Sequence, residues 1–259
     1  MVRHLEYPKK PQNTVKRYNN RGTYDLGVIH SIINTSSVLH VSFAPSPEQP
    51  FPAILPMIGV MGSFDYPSAS IDEPLDCYLH GYVSSRIMRL ARESPNGLPI
   101  CVAATKVDGL VLSLTPNSHS YNYRSAVLQG YARPVEMEEE KLYAMRLITN
   151  KVVDGRWENT RVPPDNVEMT STTILRVKVE TGSGKIRQGG PHDEAKDENR
   201  SDITEKTWTG VVPVYEAFDT PIPSDTNKVK DLPPYLDSYV SETNNRNRES
   251  ALAAVKEPE

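Results

Sequence analysis

The 259-residue sequence predicts a mainly β protein with a few helices, built as an antiparallel barrel with no alternating βαβ series. Three observations predict it. Short β-branched runs recur with turn residues between them. Only two or three stretches carry helical periodicity. The segment Thr105–Ala132 reads as a strand, a tight turn at Asp108-Gly109, a returning strand, a polar crossing and a long third strand.

Taken in order, residues 1–20 carry Pro, Lys and Asn without periodicity and predict an extended arm or disordered lead-in. Asp25 stands as an N-cap before Leu26, Ile29, Ile32 and Ile33 at helical spacing. Ser37–Phe43 alternates as a strand and is broken by Pro45, Pro47 and Pro50. In the apolar run Phe51–Gly62, Pro52 and Pro56 forbid a regular helix and leave an interrupted strand. Leu75–Tyr82 is a further strand. It runs through Val83, Ser84 and Ser85 into a helix carrying Arg86, Ile87, Met88, Leu90 and Ala91. Ile100–Lys106 continues the sheet. Glu136–Val153 has its acids first and then Leu142, Met145, Ile148 and Val152 on one stripe, a helix with its dipole complemented. Thr172–Glu180 is a strand of clear alternation and leads into Gly182-Ser183-Gly184-Lys185-Ile186-Arg187. Residues 188–206 are polar and expected to be mobile, and Trp208–Tyr215 is a last strand or strap. From Glu216 onward only Tyr235, Leu236, Tyr239 and Val240 anchor a short helix. The predicted organisation is an arm (1–20), a barrel domain (21–215) and a partly disordered extension (216–259).

Composition bounds the function. A hydrophobic share of 37%, 24% charged residues and a net charge of −4 describe a globular chain and disfavour nucleic acid as a partner, while leaving room for local cationic clusters that grip a phosphorylated small molecule. Cys77 and Cys101 lack CxxC spacing and read as reduced thiols, which with the absence of a membrane-length apolar run predicts a cytoplasmic protein. The histidines show no HxxxH or HExxH spacing, so no metal is expected. The Gly182–Lys185 stretch is no phosphate loop, because Val179 stands where the first glycine belongs and Ile186 where Ser or Thr belongs. Neither a GxGxxG after a strand nor a GxSxG elbow is present.

What stands out is a set of cations beside small hydroxyl residues: Ser85 with Arg86 at a helix start, Arg124 with Ser125 in the polar crossing, and Lys185 with Arg187 after the last long strand. Charge-assisted donors and a helix N-terminus together suit a phosphate. The crossing also holds His119, Tyr121, Asn122 and Tyr123 between apolar strands, where a plain barrel does not require them.

The ordered series YD…IH…IIN, PFPAILPMIG, YLHGYVSSR, CVAATKVDGLVL, HSYNYRSAV, GRW and GKIR resembles the pyridoxamine 5′-phosphate oxidase-like family of FMN-binding split barrels, in its flavin-nucleotide-binding, 5-nitroimidazole-resistance-like branch. The resemblance spans roughly residues 21–213 and implies a six-stranded antiparallel Greek-key split barrel, a homodimer, and FMN at the subunit interface. By position it places Ile54, Leu55, Pro56 and Met57 against the isoalloxazine. The segment Tyr78, Leu79, His80 and Gly81 with Ser84, Ser85 and Arg86 falls on the ribityl and phosphate, Lys185 and Arg187 on a further phosphate clamp, and Asn122, Tyr123, Arg124 and Ser125 near the ring. His119, Tyr121 and Tyr123 are the candidates for catalysis. Here the chain reads Asn117-Ser118-His119-Ser120-Tyr121 where relatives commonly have Phe-His-His-Ser-Met, so one of two neighbouring histidines is missing. The implied activity is an FMN-dependent oxidoreductase acting on a small organic substrate, with NAD(P)H as a candidate electron donor. The alternative is a flavin- or haem-binding protein without turnover.

Overall fold

The computed structural model describes residues 4–46 and 48–257. Pro47, one of the prolines expected to end the first strand, lies outside them, as do the first three residues of the arm and the last two of the extension. In chain order the strands are β1 (Gly22–Thr23), β2 (Leu39–Phe43), β3 (Ala53–Met57), β4 (Gly59–Gly62), β5 (Asp76–Tyr82), β6 (Leu98–Leu112), β7 (Ser120–Pro134), β8 (Thr172–Arg187) and β9 (Gly210–Pro213). The helices are α1 (Leu26–Thr35), α2 (Arg86–Glu93), α3 (Glu138–Val152), α4 (Asn166–Ser171), α5 (Ala195–Glu198), α6 (Ser201–Thr204) and α7 (Pro234–Ala253). Antiparallel pairing dominates, as expected, but nine strands are present among the described residues where six were predicted. β1 carries too few residues to show a periodic signal, while β4 and β9 fall within the expected interrupted strand and strap.

The chain divides into two compact units, residues 1–105 with 125–185 and residues 106–124 with 186–259. In the first, the strand order is β3-β2-β6-β7-β8-β5-β4, with β1 on β8. β2 pairs antiparallel with β3 and β6, and β5 with β4 and β8. Inward-facing positions of alternating strands build the core: Leu39, Val41 and Phe43 of β2, Ile100, Val102 and Ala104 of β6, Cys77 and Leu79 of β5. The apolar stripe of α1 (Leu26, Ile29, Ile32, Ile33) packs into it, and the Asp25 carboxylate accepts the Val28 N–H at 2.9 Å, as its position predicts. A second cluster forms where Ala144 and Ile148 of α3 meet Val60, Tyr78 and Ile174. Gly130 is required where β7 and β8 approach closely, since a Cβ there would lie 2.2 Å from the Lys178 carbonyl oxygen.

The described part of the arm is fastened to this unit. The Tyr7 hydroxyl lies 2.7 Å from His30 Nε2, while His30 Nδ1 lies 2.6 Å from the Ile71 carbonyl oxygen. Burial holds the His30 pKa below the ordinary histidine value, so the ring is neutral, with Nδ1–H donating to Ile71 and Nε2 accepting from Tyr7. Asn13 donates to the carbonyls of Pro8 and Gly182 at 3.0 and 2.9 Å.

Two expectations are corrected in the second unit. The Asp108-Gly109 pair makes no turn. β6 runs straight through it, and Gly109 pairs with Pro213 of β9. An Asp-Gly hairpin needs positive φ, which Gly109 does not adopt, and the Asp108 carboxylate is taken by Arg124 at 2.8 and 2.7 Å. The expected short, fraying C-terminal helix is the 20-residue α7. It lacks a broad apolar stripe and is held by polar contacts: Asn244 bridges the N–H and carbonyl of Phe218, and Asn247 donates to the Glu216 carbonyl.

Candidate functional site

The start of α2 is where chemistry gathers in the first unit. β5 ends at Tyr82, the chain turns with the Ser85 N–H donating to the Tyr82 carbonyl at 2.9 Å, and α2 begins at Arg86. Ser85 occupies the N-cap position, yet its side chain makes no capping bond. Its Oγ is buried and has no hydrogen-bond partner among the described residues. A buried hydroxyl left unmade costs about 1–3 kcal/mol, and the first N–H groups of a helix are open donors. Beside it, Gly81 leaves a space that a Cβ would fill: such an atom would lie 2.9 Å from Met88 Cε, 3.8 Å from Met57 Cε and 3.9 Å from Ser85 Oγ. Arg86 is exposed, its guanidinium donating to Gln49 Oε1 at 2.9 Å.

The structure thus brings together Met57, Gly81, Ser85 and, by chain continuity, Ser84 and Arg86. Met57 and Leu55 pack against the core, while Ile54 and Pro56 alternate outward and are exposed. β3 lies at the end of the strand order, paired to β2 alone, so its other backbone edge is open to a ligand. Gln49, Met57, Gly81 and Met88 frame the place. Of these Gln49 and Met88 were not among the predicted site residues, and the β3–β5 approach that makes them matter leaves no trace in local sequence.

Tyr78 and His80 lie on the other face of β5, because side chains alternate along a strand. Tyr78 is fully buried and donates to Glu140 Oε1 at 2.9 Å. Glu140 also accepts from Arg176, which reaches Asp76 at 2.6 Å and Asp65 at 2.8 Å as well. Burial pushes the Asp76 carboxyl up, against the pull of Arg176, and pushes the Tyr78 phenol well above its ordinary range. His80 is kept neutral by burial, and its Nδ1 is buried without a partner among the described residues. Ser125 donates to the Lys185 carbonyl at 3.2 Å, and the Lys185 ammonium donates to the Arg17 carbonyl at 3.0 Å.

The remaining candidates belong to the second unit. Asn122 is fully buried, donates to the carbonyls of Gly189 and Ala254 at 3.0 and 2.9 Å, and accepts from the Arg187 guanidinium. Arg187 is itself buried and reaches the Gly190 carbonyl at 2.9 Å. Arg124 holds Asp108 in a two-pronged ion pair, and Tyr123 is half-buried. Tyr121 and His119 are exposed, with His119 Nδ1 2.9 Å from the Thr115 carbonyl oxygen.

A cavity of about 990 Å³ in the first unit, lined by Asp76, Arg92, Arg133, Glu136, Glu140 and Arg176 among others, includes none of the predicted site residues. Charges of both signs face one another across it. Among the described residues no group of three or more His, Cys, Asp or Glu is placed to hold a metal ion, and no helix is long and apolar enough to cross a membrane.

The family described as pyridoxamine 5′-phosphate oxidase matches residues 25–186. The chain belongs to that family. Its fold is the mainly antiparallel split barrel of this family. Among solved structures it is similar to the flavocytochrome Anf3 from Azotobacter vinelandii, with a TM-score of 0.73, 24% identity, and 91% of this chain and 99% of that one covered. It is also similar to the FAD and haem binding protein from Mycobacterium smegmatis, with a TM-score of 0.69, 22% identity, and coverages of 85% and 97%. At these identities the likeness is one of fold. No curated protein matches the sequence.

Proposed function

We propose that this member of the pyridoxamine 5′-phosphate oxidase family is an FMN-dependent oxidoreductase acting on a small organic substrate, with NAD(P)H as electron donor, working as a homodimer with the flavin at the subunit interface. The observation that carries the reading is the unpartnered Ser85 hydroxyl at the first turn of α2. A phosphate there accepts from Ser85 Oγ–H and from the open N–H groups of the turn, and the helix dipole favours its charge. Arg86, tethered by Gln49, adds a charge-assisted donor, and Ser84 lies exposed at the same turn.

Met57 and Leu55 hold an apolar wall steady against the core, and the free edge of β3 offers backbone groups to the polar rim of a flat ring. Neutral His80 keeps an open acceptor at Nδ1 for a hydrogen bond donated by a ligand hydroxyl on its own face of β5. A bound flavin supplies the electron transfer itself, and the side chains named here bind, orient and exclude water. The free thiols Cys77 and Cys101 fit a reducing, cytoplasmic setting. The similar FAD and haem binding protein makes FAD the competing flavin.

A second reading is a flavin- or haem-binding protein without turnover. His119 favours it: the residue is exposed, and with Nδ1–H donating to the Thr115 carbonyl Nε2 is left as the ligand atom. One experiment separates the readings. The protein, reconstituted with FMN or FAD and mixed anaerobically with NADPH, is expected to bleach at the flavin absorbance and to recover its colour on adding a nitro or quinone acceptor. Flavin binding without bleaching supports the flavin form of the second reading, and failure to retain either flavin removes both flavin readings.

A further inference from the structure

The cations of the arm gather on one aromatic ring. Arg21 Cζ lies 4.3 Å from the ring centre of Tyr18, Arg17 Cζ 5.2 Å and Lys185 Nζ 5.8 Å. The arrangement is fixed. β1 pairs with β8 in a register that sets Gly22 opposite Lys185, and the Lys185 ammonium donates to the Arg17 carbonyl. Tyr18 is held in the left-handed region at φ 52, ψ 58, a conformation a non-glycine residue keeps only where its surroundings impose it. Gly22 is half-buried where a Cβ would come within 3.0 Å of Val15 Cβ, so the arm approaches β1 closely.

Three like charges around one ring repel, and among the described residues none of the three is paired with a carboxylate. Arg21 and Lys185 are also half-buried, which removes part of the water that would otherwise screen them. The ring face offsets some of the cost, and the Tyr18 phenol is drawn below its ordinary range, first by a hydrogen bond from Arg17 and then by the charges of Arg17, Arg21 and Lys185. A multiply charged anion would offset the remainder. Two guanidinium forks and an ammonium spread around a ring reach further than one phosphate group, and they present the donors that phosphate oxygens accept from.

We propose that Arg17, Arg21 and Lys185, gathered on Tyr18, form a binding site for a pyrophosphate-bearing anion, the chemistry of a nucleotide's phosphate chain, separate from the flavin site at Ser85. The site does not depend on the flavin reading. Apart from Lys185 it is built from residues that precede the stretch matched to the family.

The test is calorimetric titration of the purified protein with inorganic pyrophosphate and with ADP at low salt. Saturable binding of both is expected, weakened about tenfold or more in Arg17→Gln/Arg21→Gln and partly kept in Arg21→Lys. Lys228→Gln/Lys230→Gln, which removes two exposed charges elsewhere, is expected to bind like the wild type, and flavin content is expected to be the same in all four proteins. If the double variant melts below the wild type, Arg21→Gln alone carries the same expectation. The proposal is overturned if the wild type shows no saturable binding, if the charge control loses as much affinity, or if flavin retention falls in step with pyrophosphate affinity.

Discussion

Replacing Arg176 by Met is expected to lower the stability of the folded protein by about 3 kcal/mol at neutral pH. Arg176 donates to Asp76, Glu140 and Asp65 at 2.6, 3.2 and 2.8 Å, and the Asp76 and Glu140 side chains are only 15% and 10% exposed. Methionine fills the volume but leaves two nearly buried carboxylates with no cation between them. The guanidinium is itself a third exposed, which keeps the expected loss at the low end for a broken buried pair. The sign of the pH dependence follows. Without the pull of Arg176 the Asp76 carboxyl, already held above its ordinary value by burial, rises further, so the folded variant takes up its proton at higher pH than the wild type and the deficit shrinks as pH falls toward the ordinary carboxylate range. Urea unfolding at neutral and acidic pH measures both effects. A loss below about 1 kcal/mol, the size of a surface ion pair, means the network contributes little.

The second large effect is expected at Asn122. Asn122→Leu is close in size but removes two donated bonds, to Gly189 and Ala254, and the acceptor of Arg187. With Asn122 and Arg187 both buried, the expected cost is about 3 kcal/mol. The effect has a local signature. Ala254 caps the C-terminal end of α7, and its carbonyl accepts from both Asn122 and the Gly189 N–H, so amide exchange at Gly189 and around residue 254 is expected to accelerate ahead of the rest of the second unit. Unfolding within about 0.5 kcal/mol of the wild type would show that Leu repacks the site without penalty.

Much of the fold was legible because it rests on local rules. Asp25 before Leu26, the alternation of Leu39, Val41 and Phe43, and the acid-first stripe of α3 each state their element within a few residues. Asp108-Gly109 misled because a strong turn dipeptide was overruled by a partner strand and by Arg124, both distant in sequence. α7 was underestimated because polar side-chain contacts rather than an apolar stripe hold it.

The site divides the same way. The Ser85–Arg86 helix start was readable from serines before an apolar run. That Tyr78 and His80 turn away from Gly81 follows from strand alternation once the bounds of β5 are known. The Tyr18 cluster had half its signal in Arg17-Tyr18-Asn19-Asn20-Arg21, but its third cation is brought in only by the β1–β8 register.

The central claim, that the α2 start is built for a ligand phosphate, is tested most directly by Ser85→Ala measured twice: unfolding of the flavin-free protein and flavin titration of the folded one. Because the hydroxyl is buried without a partner, its removal is expected to leave the flavin-free protein as stable or up to about 1 kcal/mol more so. Flavin affinity is expected to fall about tenfold, the loss of one charge-assisted bond. A flavin affinity equal to that of the wild type, or a flavin-free protein destabilised by the substitution, would contradict the account.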